Sequence, residues 1–266
     1  MMIEIQKEKI LGLDANLYKN IPLNNIIFFD IETTGFDKEK ASVILISGGW
    51  FDENNKFIIK QYFAESLDEE VKLLESFKKD ISKFPTWCSY NRKAFDEPFI
   101  KKRMDINNIN FIPPQNHIDL YRLIRPYYKQ LGIERCNLKS VEKYLGIDRQ
   151  DQIDGGVCVE LYYEFLMNKD IKLRELIMLH NYEDVLNLPV IFKLTYDIKK
   201  DKNLKREDCI TKRQLDYLRY LLKKNKITIN SDLKMISKKA ASRIIDSILR
   251  REIDICKFND IIKDSY

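Results

Sequence analysis

The segment Ile26-Ile27-Phe28-Phe29-Asp30-Ile31-Glu32 constrains this chain more than any other. Four consecutive apolar residues running into acids read as a strand buried on both faces, with carboxylates emerging where it reaches the sheet edge. Val43-Ile44-Leu45-Ile46 and the run Phe57 to Phe63 follow, separated by Asp52-Glu53-Asn54-Asn55. That is a hairpin pattern, so the opening sheet is at least partly antiparallel. Val71, Leu74 and Phe77 recur at helical spacing and predict a helix over 68–83. The pattern then predicts a strand near Trp87-Cys88-Ser89-Tyr90, a helix from Asp96 to Met104 and a strand ending at Ile118-Asp119-Leu120. Helices are expected near 121–130, 138–145, 157–167 and 172–196. Hairpin strands, then alternating helix and strand, then helices, make a mixed α/β sheet covered by helices.

Composition excludes several other classes. With 44% apolar residues and only eight glycines and seven prolines in 266, the chain is neither disordered nor collagen-like. No apolar run approaches the roughly 18 residues of a membrane span, so no membrane partner is expected. The first nine residues alternate charged and apolar side chains and lack a signal-peptide core. Five widely spaced cysteines, an odd number without metal-site spacing, read as free thiols of a reducing compartment. The expectation is a soluble cytoplasmic protein.

Charge divides the chain. Residues 1–198 carry 27 Lys and Arg against 31 Asp and Glu, whereas residues 199–266 carry 19 against 10. A mildly acidic body of residues 1–200 therefore precedes a small basic helical domain, residues 205–266. The basic tail suits a polyanionic partner, with a solvated lysine-rich helix face as the plain alternative. Leu215, Leu218, Leu221 and Leu222 form one face of a first tail helix. Ser237 is placed to cap a second, holding Ala240, Ala241, Ile244, Ile245, Ile248 and Leu249.

Asp30 and Glu32, two apart on a strand, point to the same face. Side-by-side carboxylates in apolar surroundings repel and are costly to desolvate, which a divalent cation would offset. A strand running into a solvated loop is the competing reading. The longer string Phe29-Asp30-Ile31-Glu32-Thr33-Thr34-Gly35 resembles the first motif of the DEDD superfamily, the RNase H-like 3′ to 5′ exonucleases. Tyr90-Asn91-Arg92-Lys93-Ala94-Phe95-Asp96 resembles the second motif, and His180-Asn181-Tyr182-Glu183-Asp184-Val185 the third. His117-Ile118-Asp119-Leu120 and Leu138-Lys139-Ser140-Val141-Glu142 resemble the segments between them. Within that superfamily the chain resembles the YprB-type RNase H-like family, and the likeness covers residues 24–196. The tail resembles two-helix appendages of bacterial nucleic-acid proteins.

The resemblance implies an RNase H-like mixed β-sheet flanked by helices, with a small C-terminal helical appendage. It implies that Asp30, Glu32, Asp96 and Asp184 hold two divalent cations, and such hard oxygen donors suit Mg²⁺ or Mn²⁺. The implied activity is two-metal hydrolysis of phosphodiester bonds from the 3′ end of single-stranded or frayed DNA or RNA. Thr33 and Thr34 would donate to the terminal nucleotide; Tyr90 and Asn91 are candidates to line the substrate groove, with helix entry and packing as their equal alternative. His180 departs from the family, which places a histidine five residues before the last acid or a tyrosine four before it. Residues i and i+4 share a helix face, so His180 and Asp184 can both reach the site. A histidine titrating near neutrality suits removal of a proton from the attacking water; Tyr182 lies off that face.

Plainer roles compete at several positions. Asp96 before Glu97-Pro98 also reads as a helix N-cap. His117 and Asp119 read as structural, with Asp119 capping a helix from Tyr121. Trp50 and Trp87 read as core, and Gly155-Gly156 after Asp154 as a flexible helix entry. The alternative function is a non-catalytic RNase H-like module that binds nucleic acid or a partner. Endonucleolytic cutting of an RNA–DNA hybrid fits the fold, but the motif order favours an exonuclease.

Overall fold

The computed structural model describes residues 2–91, 95–114, 116–153, 155–263 and Ser265. Arg92, Lys93 and Ala94 of the second motif, and Asp154, lie outside the described residues. Six strands form one mixed sheet: β1 (Ile3–Lys9), β2 (Ile26–Thr33), β3 (Val43–Phe51), β4 (Phe57–Phe63), β5 (Thr86–Ser89) and β6 (Asn116–Asp119). Their order is β1-β4-β3-β2-β5-β6. The first four pair antiparallel, while β5 pairs parallel to β2 and β6 parallel to β5. Helices α1 (Ala15–Asn20), α2 (Glu70–Ile81), α3 (Asp96–Ile106), α4 (Leu120–Ile124), α5 (Leu138–Tyr144), α6 (Cys158–Asn168) and α7 (Ile171–Lys200) accompany the sheet.

The central strand β2 is buried along its whole length. Ile27, Phe29 and Ile31 join Leu73, Leu74 and Phe77 of α2 and Phe99, Ile100 and Met104 of α3 in one core. Val71, at the same helical spacing, stays partly exposed. Each fully buried aromatic or aliphatic side chain contributes about 1.5–3 kcal/mol. The alternate β2 residues face the other way, where the Phe28 ring meets Phe192 of α7 edge-on, with centroids 5.9 Å apart. Asp30 and Glu32 share that second face. Trp87 is buried, and Trp50 packs partly buried against the first core.

Gly49 of β3 lets α7 approach. A Cβ there would stand 2.9 Å from Val185 of α7 and closer still to the Phe57 ring, distances that side chains do not tolerate. The interior Pro189 does not end α7, which runs for 30 residues. Strand β1 was not among the expected elements. It is an edge strand, mostly exposed and rich in charge, which blunts sheet-to-sheet pairing. The helix expected over 121–130 is only α4, because Pro126 lacks the amide a continuing helix needs.

The chain divides into two compact units, residues 1–121 with 135–199, and residues 122–134 with 200–266. Amides of the tail bond to 122–134: Glu207 N–H donates to the Pro126 carbonyl at 3.1 Å and Lys205 N–H to the side-chain Oε1 of Gln130 at 3.0 Å. The second unit holds α8 (Lys212–Lys224), α9 (Lys238–Leu249) and α10 (Ile255–Lys263), one helix more than the two expected. Thr211 and Gln214 close a capping box on α8, and the Ser237 hydroxyl caps α9. Leu218, Leu222, Ile244, Ile248, Phe258 and Ile262 fill its core. No helix among the described residues is long and apolar enough to cross a membrane.

Candidate active site

The site grows from cross-strand neighbours. Asp30 of β2 stands opposite Ser47 of β3, which stands opposite Gln61 of β4, so three polar side chains form a row on the α7 face. All are buried, and so they must satisfy one another. Gln61 Nε2 donates to Ser47 Oγ and to the Met178 carbonyl of α7, each at 2.9 Å. Ser47 donates to Asn181 Oδ1, and Asn181 Nδ2 donates to Asp30 Oδ2 at 2.8 Å. This chain of bonds fixes the Asp30 carboxylate from behind.

Asp30, Glu32 and Asp184 each offer a carboxylate oxygen, and those oxygens lie within 4.8 Å of one another in buried surroundings. His180 joins them from one turn earlier on α7, its Nε2 3.9 Å from Glu32 and 4.0 Å from Asp184. Its Nδ1 donates to Asp151 Oδ2 at 2.6 Å, which sets the tautomer and turns Nε2 toward the acids. Asp151 is desolvated, which opposes ionisation. The hydrogen bond from His180 and the Ile153 amide outweigh that cost and hold its carboxyl below the usual range.

The loop carrying Asp151 is stapled to α7. Arg149 donates to Asp184 Oδ1 at 2.6 Å, to both Glu142 oxygens at 3.1–3.2 Å, to Asp151 at 3.1 Å and to the His180 carbonyl at 3.0 Å. The amides of Gln150 and Asp151 donate to Glu183 at 3.0 and 2.9 Å. Burial alone would weaken the proton affinity of Arg149, but Asp184 and Glu142 outweigh it and hold the guanidinium charged. Glu142 is pushed upward, chiefly by burial, although Arg149 and Asn187 partly offset this.

Asp96 is completely buried at the first residue of α3 and is not one of the mutually close trio. The N-cap position falls on Phe95, so Asp96 is not the cap that its sequence context allows. The Thr33 hydroxyl donates to the Gly35 carbonyl at 2.7 Å, and Thr34 Oγ1 accepts the Ser42 amide at 2.9 Å. Both hydroxyls thus brace the turn after β2. Asn91 is exposed in the left-handed region (φ 60°), its amide donating to Asp119 Oδ1 at 2.8 Å. Asp119 also accepts from the Tyr121 amide at 3.1 Å, and His117 bonds Ser89 and Glu97 at 2.8 and 2.5 Å. Tyr182 points elsewhere, its ring under the Lys7 ammonium at 4.5 Å.

Residues 27–196 match the family profile of the RNase H superfamily. The chain belongs to that superfamily. An uncharacterized protein of Bacillus subtilis (strain 168), YprB, is 32% identical over 168 residues, a match covering 62% of this chain and 40% of that protein. An RNase H superfamily sheet of this kind is a nuclease-type fold, and this member carries an acidic cluster whose oxygen donors fit a hard divalent cation. Arg149, Asp151, Ser47, Gln61 and Cys158 complete its surroundings and were not singled out from sequence. Polar residues inside the apolar strands at 47 and 61 were the available signal for two of them.

Proposed function

We propose that the chain is a metal-dependent 3′ to 5′ exonuclease acting on single-stranded or frayed DNA or RNA. The observation carrying this reading is the meeting of three buried carboxylates with the Nε2 of an oriented histidine. Asp30, Glu32 and Asp184, with Asp96, are the residues that would hold two Mg²⁺ or Mn²⁺ ions. Bound there, the ions supply Lewis acidity for the attacking water and the departing 3′ oxygen. His180 accepts the water's proton at Nε2, while Asp151 holds the ring and Asn181 holds Asp30. Polarity is supported by the order of the three motifs and their resemblance to the exonucleases.

In this reading residues 1–200 are the nuclease domain and residues 205–266 a basic domain that grips the strand. Arg213, Tyr217, Tyr220 and Lys224 follow a four-three-four spacing that aligns them on one face of α8. Tyr217 and Tyr220 are exposed and stacked, with centroids 6.4 Å apart and planes 17° apart, and the Lys224 ammonium lies 5.8 Å from the Tyr220 ring. Aromatic faces between cations suit stacked bases on a phosphate backbone.

One observation favours the second reading, a non-catalytic binding module: Arg149 already pairs with Asp184. Cleavage of 5′-labelled single-stranded DNA and RNA with Mn²⁺, Mg²⁺ or EDTA decides between them. The expected result is a metal-dependent ladder shortening from the 3′ end and absent in Asp30→Ala. Strand binding without cleavage in any metal would favour the module.

A further inference from the structure

We propose that Glu32, Cys158 and His180 form a site for a thiophilic divalent metal of the zinc class, sharing Glu32 with the hard-cation cluster. One oxygen, one sulfur and one nitrogen from these residues lie within 4.8 Å of one another, and all three side chains are buried. Carboxylate, thiolate and imidazole are the donor types of tetrahedral zinc sites, and a thiolate discriminates against Mg²⁺. Ligand atoms around such an ion stand roughly 3.3–3.8 Å apart, so side-chain rotations of about an ångström close the set.

Two further observations point the same way. His180 Nδ1 is bonded to Asp151 at 2.6 Å, leaving Nε2 as the ligating nitrogen. A carboxylate behind the distal ring nitrogen is the usual support for a metal-bound histidine. Cys158 opens α6, an 11-residue helix, so its sulfur lies in the positive field of the helix N-terminus. Burial, with Glu32 and Asp184 nearby, pushes the thiol up, so the metal-free sulfur carries its proton. An incoming divalent ion displaces that proton to solvent.

The consequence for activity rests on the exonuclease reading. A zinc-class ion occupies Glu32 and the His180 Nε2 together, so it withdraws one cation ligand and the proton acceptor at once. Mg²⁺ and Zn²⁺ then compete through a shared carboxylate.

The test titrates the full chain with Co²⁺ as a spectroscopic probe. A near-ultraviolet sulfur-to-cobalt band should appear, persist in Cys256→Ser, whose exposed thiol is the obvious adventitious source, and vanish in Cys158→Ser. Asp151→Asn should weaken Co²⁺ binding by about 10–100-fold. Because Cys158→Ser can fail by misfolding, X-ray absorption on the Zn²⁺-loaded natural chain supplies a second readout. It should show sulfur at about 2.3 Å and nitrogen at about 2.0 Å. An oxygen-only shell, or a band that survives Cys158→Ser, overturns the proposal. Strand cleavage without the band sinks this site and leaves the nuclease standing; the band without cleavage of any strand does the reverse.

Discussion

The two units of this chain handle charge in opposite ways. Around its site the RNase H-like unit hides it: Asp30, Glu32, Glu142, Arg149, Asp151, His180, Glu183 and Asp184 are all nearly buried and linked by short contacts. The helical unit displays it, with an apolar core and lysines, arginines and two tyrosines turned to solvent. Buried charge needs partners fixed in place, so it can hold a reacting group still but makes the fold depend on every partner. Exposed charge costs little and can meet a polyanion of any sequence, at the expense of salt sensitivity.

The sharpest way to break that contrast is Arg149→Met. Removing the guanidinium leaves Glu142, Asp151 and Asp184 facing one another, and the expected loss is about 3–5 kcal/mol in urea unfolding. A loss under 1 kcal/mol, as at exposed pairs, would erase the distinction.

The complementary change is Tyr217→Ala with Tyr220→Ala. Stability should move by less than about 0.5 kcal/mol per site. Affinity for a single-stranded oligonucleotide should fall by about 1–3 kcal/mol for each base stacked, as read by fluorescence anisotropy. The salt slope should stay the same, because no cation is removed. Unchanged affinity would remove α8 from the strand-binding surface.

The smallest effect sits between the two regimes. Asp80 is partly desolvated, yet Lys60, Lys83 and Tyr62 more than compensate and bring its carboxyl down to about 2. A depressed carboxyl stabilises the fold above its ordinary range and loses that contribution as pH falls from about 4 toward 2. Asp80→Asn should therefore cost about 1 kcal/mol at pH 7, after solvent screening of the exposed Lys83 arm, and less at pH 2.5. Equal costs at both pH values would show that Asp80 acts only through its shape.

The readable parts of the sequence were those whose signal is local. Strand β2 declares itself by its apolar run, and Asp30, Glu32, His180 and Asp184 by the strings that contain them. Strand β1 and helix α10 were missed because charged, short segments gain their structure from a partner rather than from their own pattern. Arg149 and Asp151 were invisible for a related reason. Their targets on α7 lie 29 to 35 residues away, and nothing near either residue records that pairing. Cys158 read only as one of five free thiols without metal-site spacing, because chain spacing does not show that α6 begins beside β2.

Gly49 touches none of the acids, yet it sets a floor beneath them. Val185 directly follows Asp184, and its side chain lies 2.9 Å from where a Cβ on Gly49 would stand, too close for both. The helix therefore rides on bare backbone, the thinnest spacer a polypeptide offers. The width of the gap between Asp184 and the strand carboxylates is gauged by a residue that contributes no side chain at all.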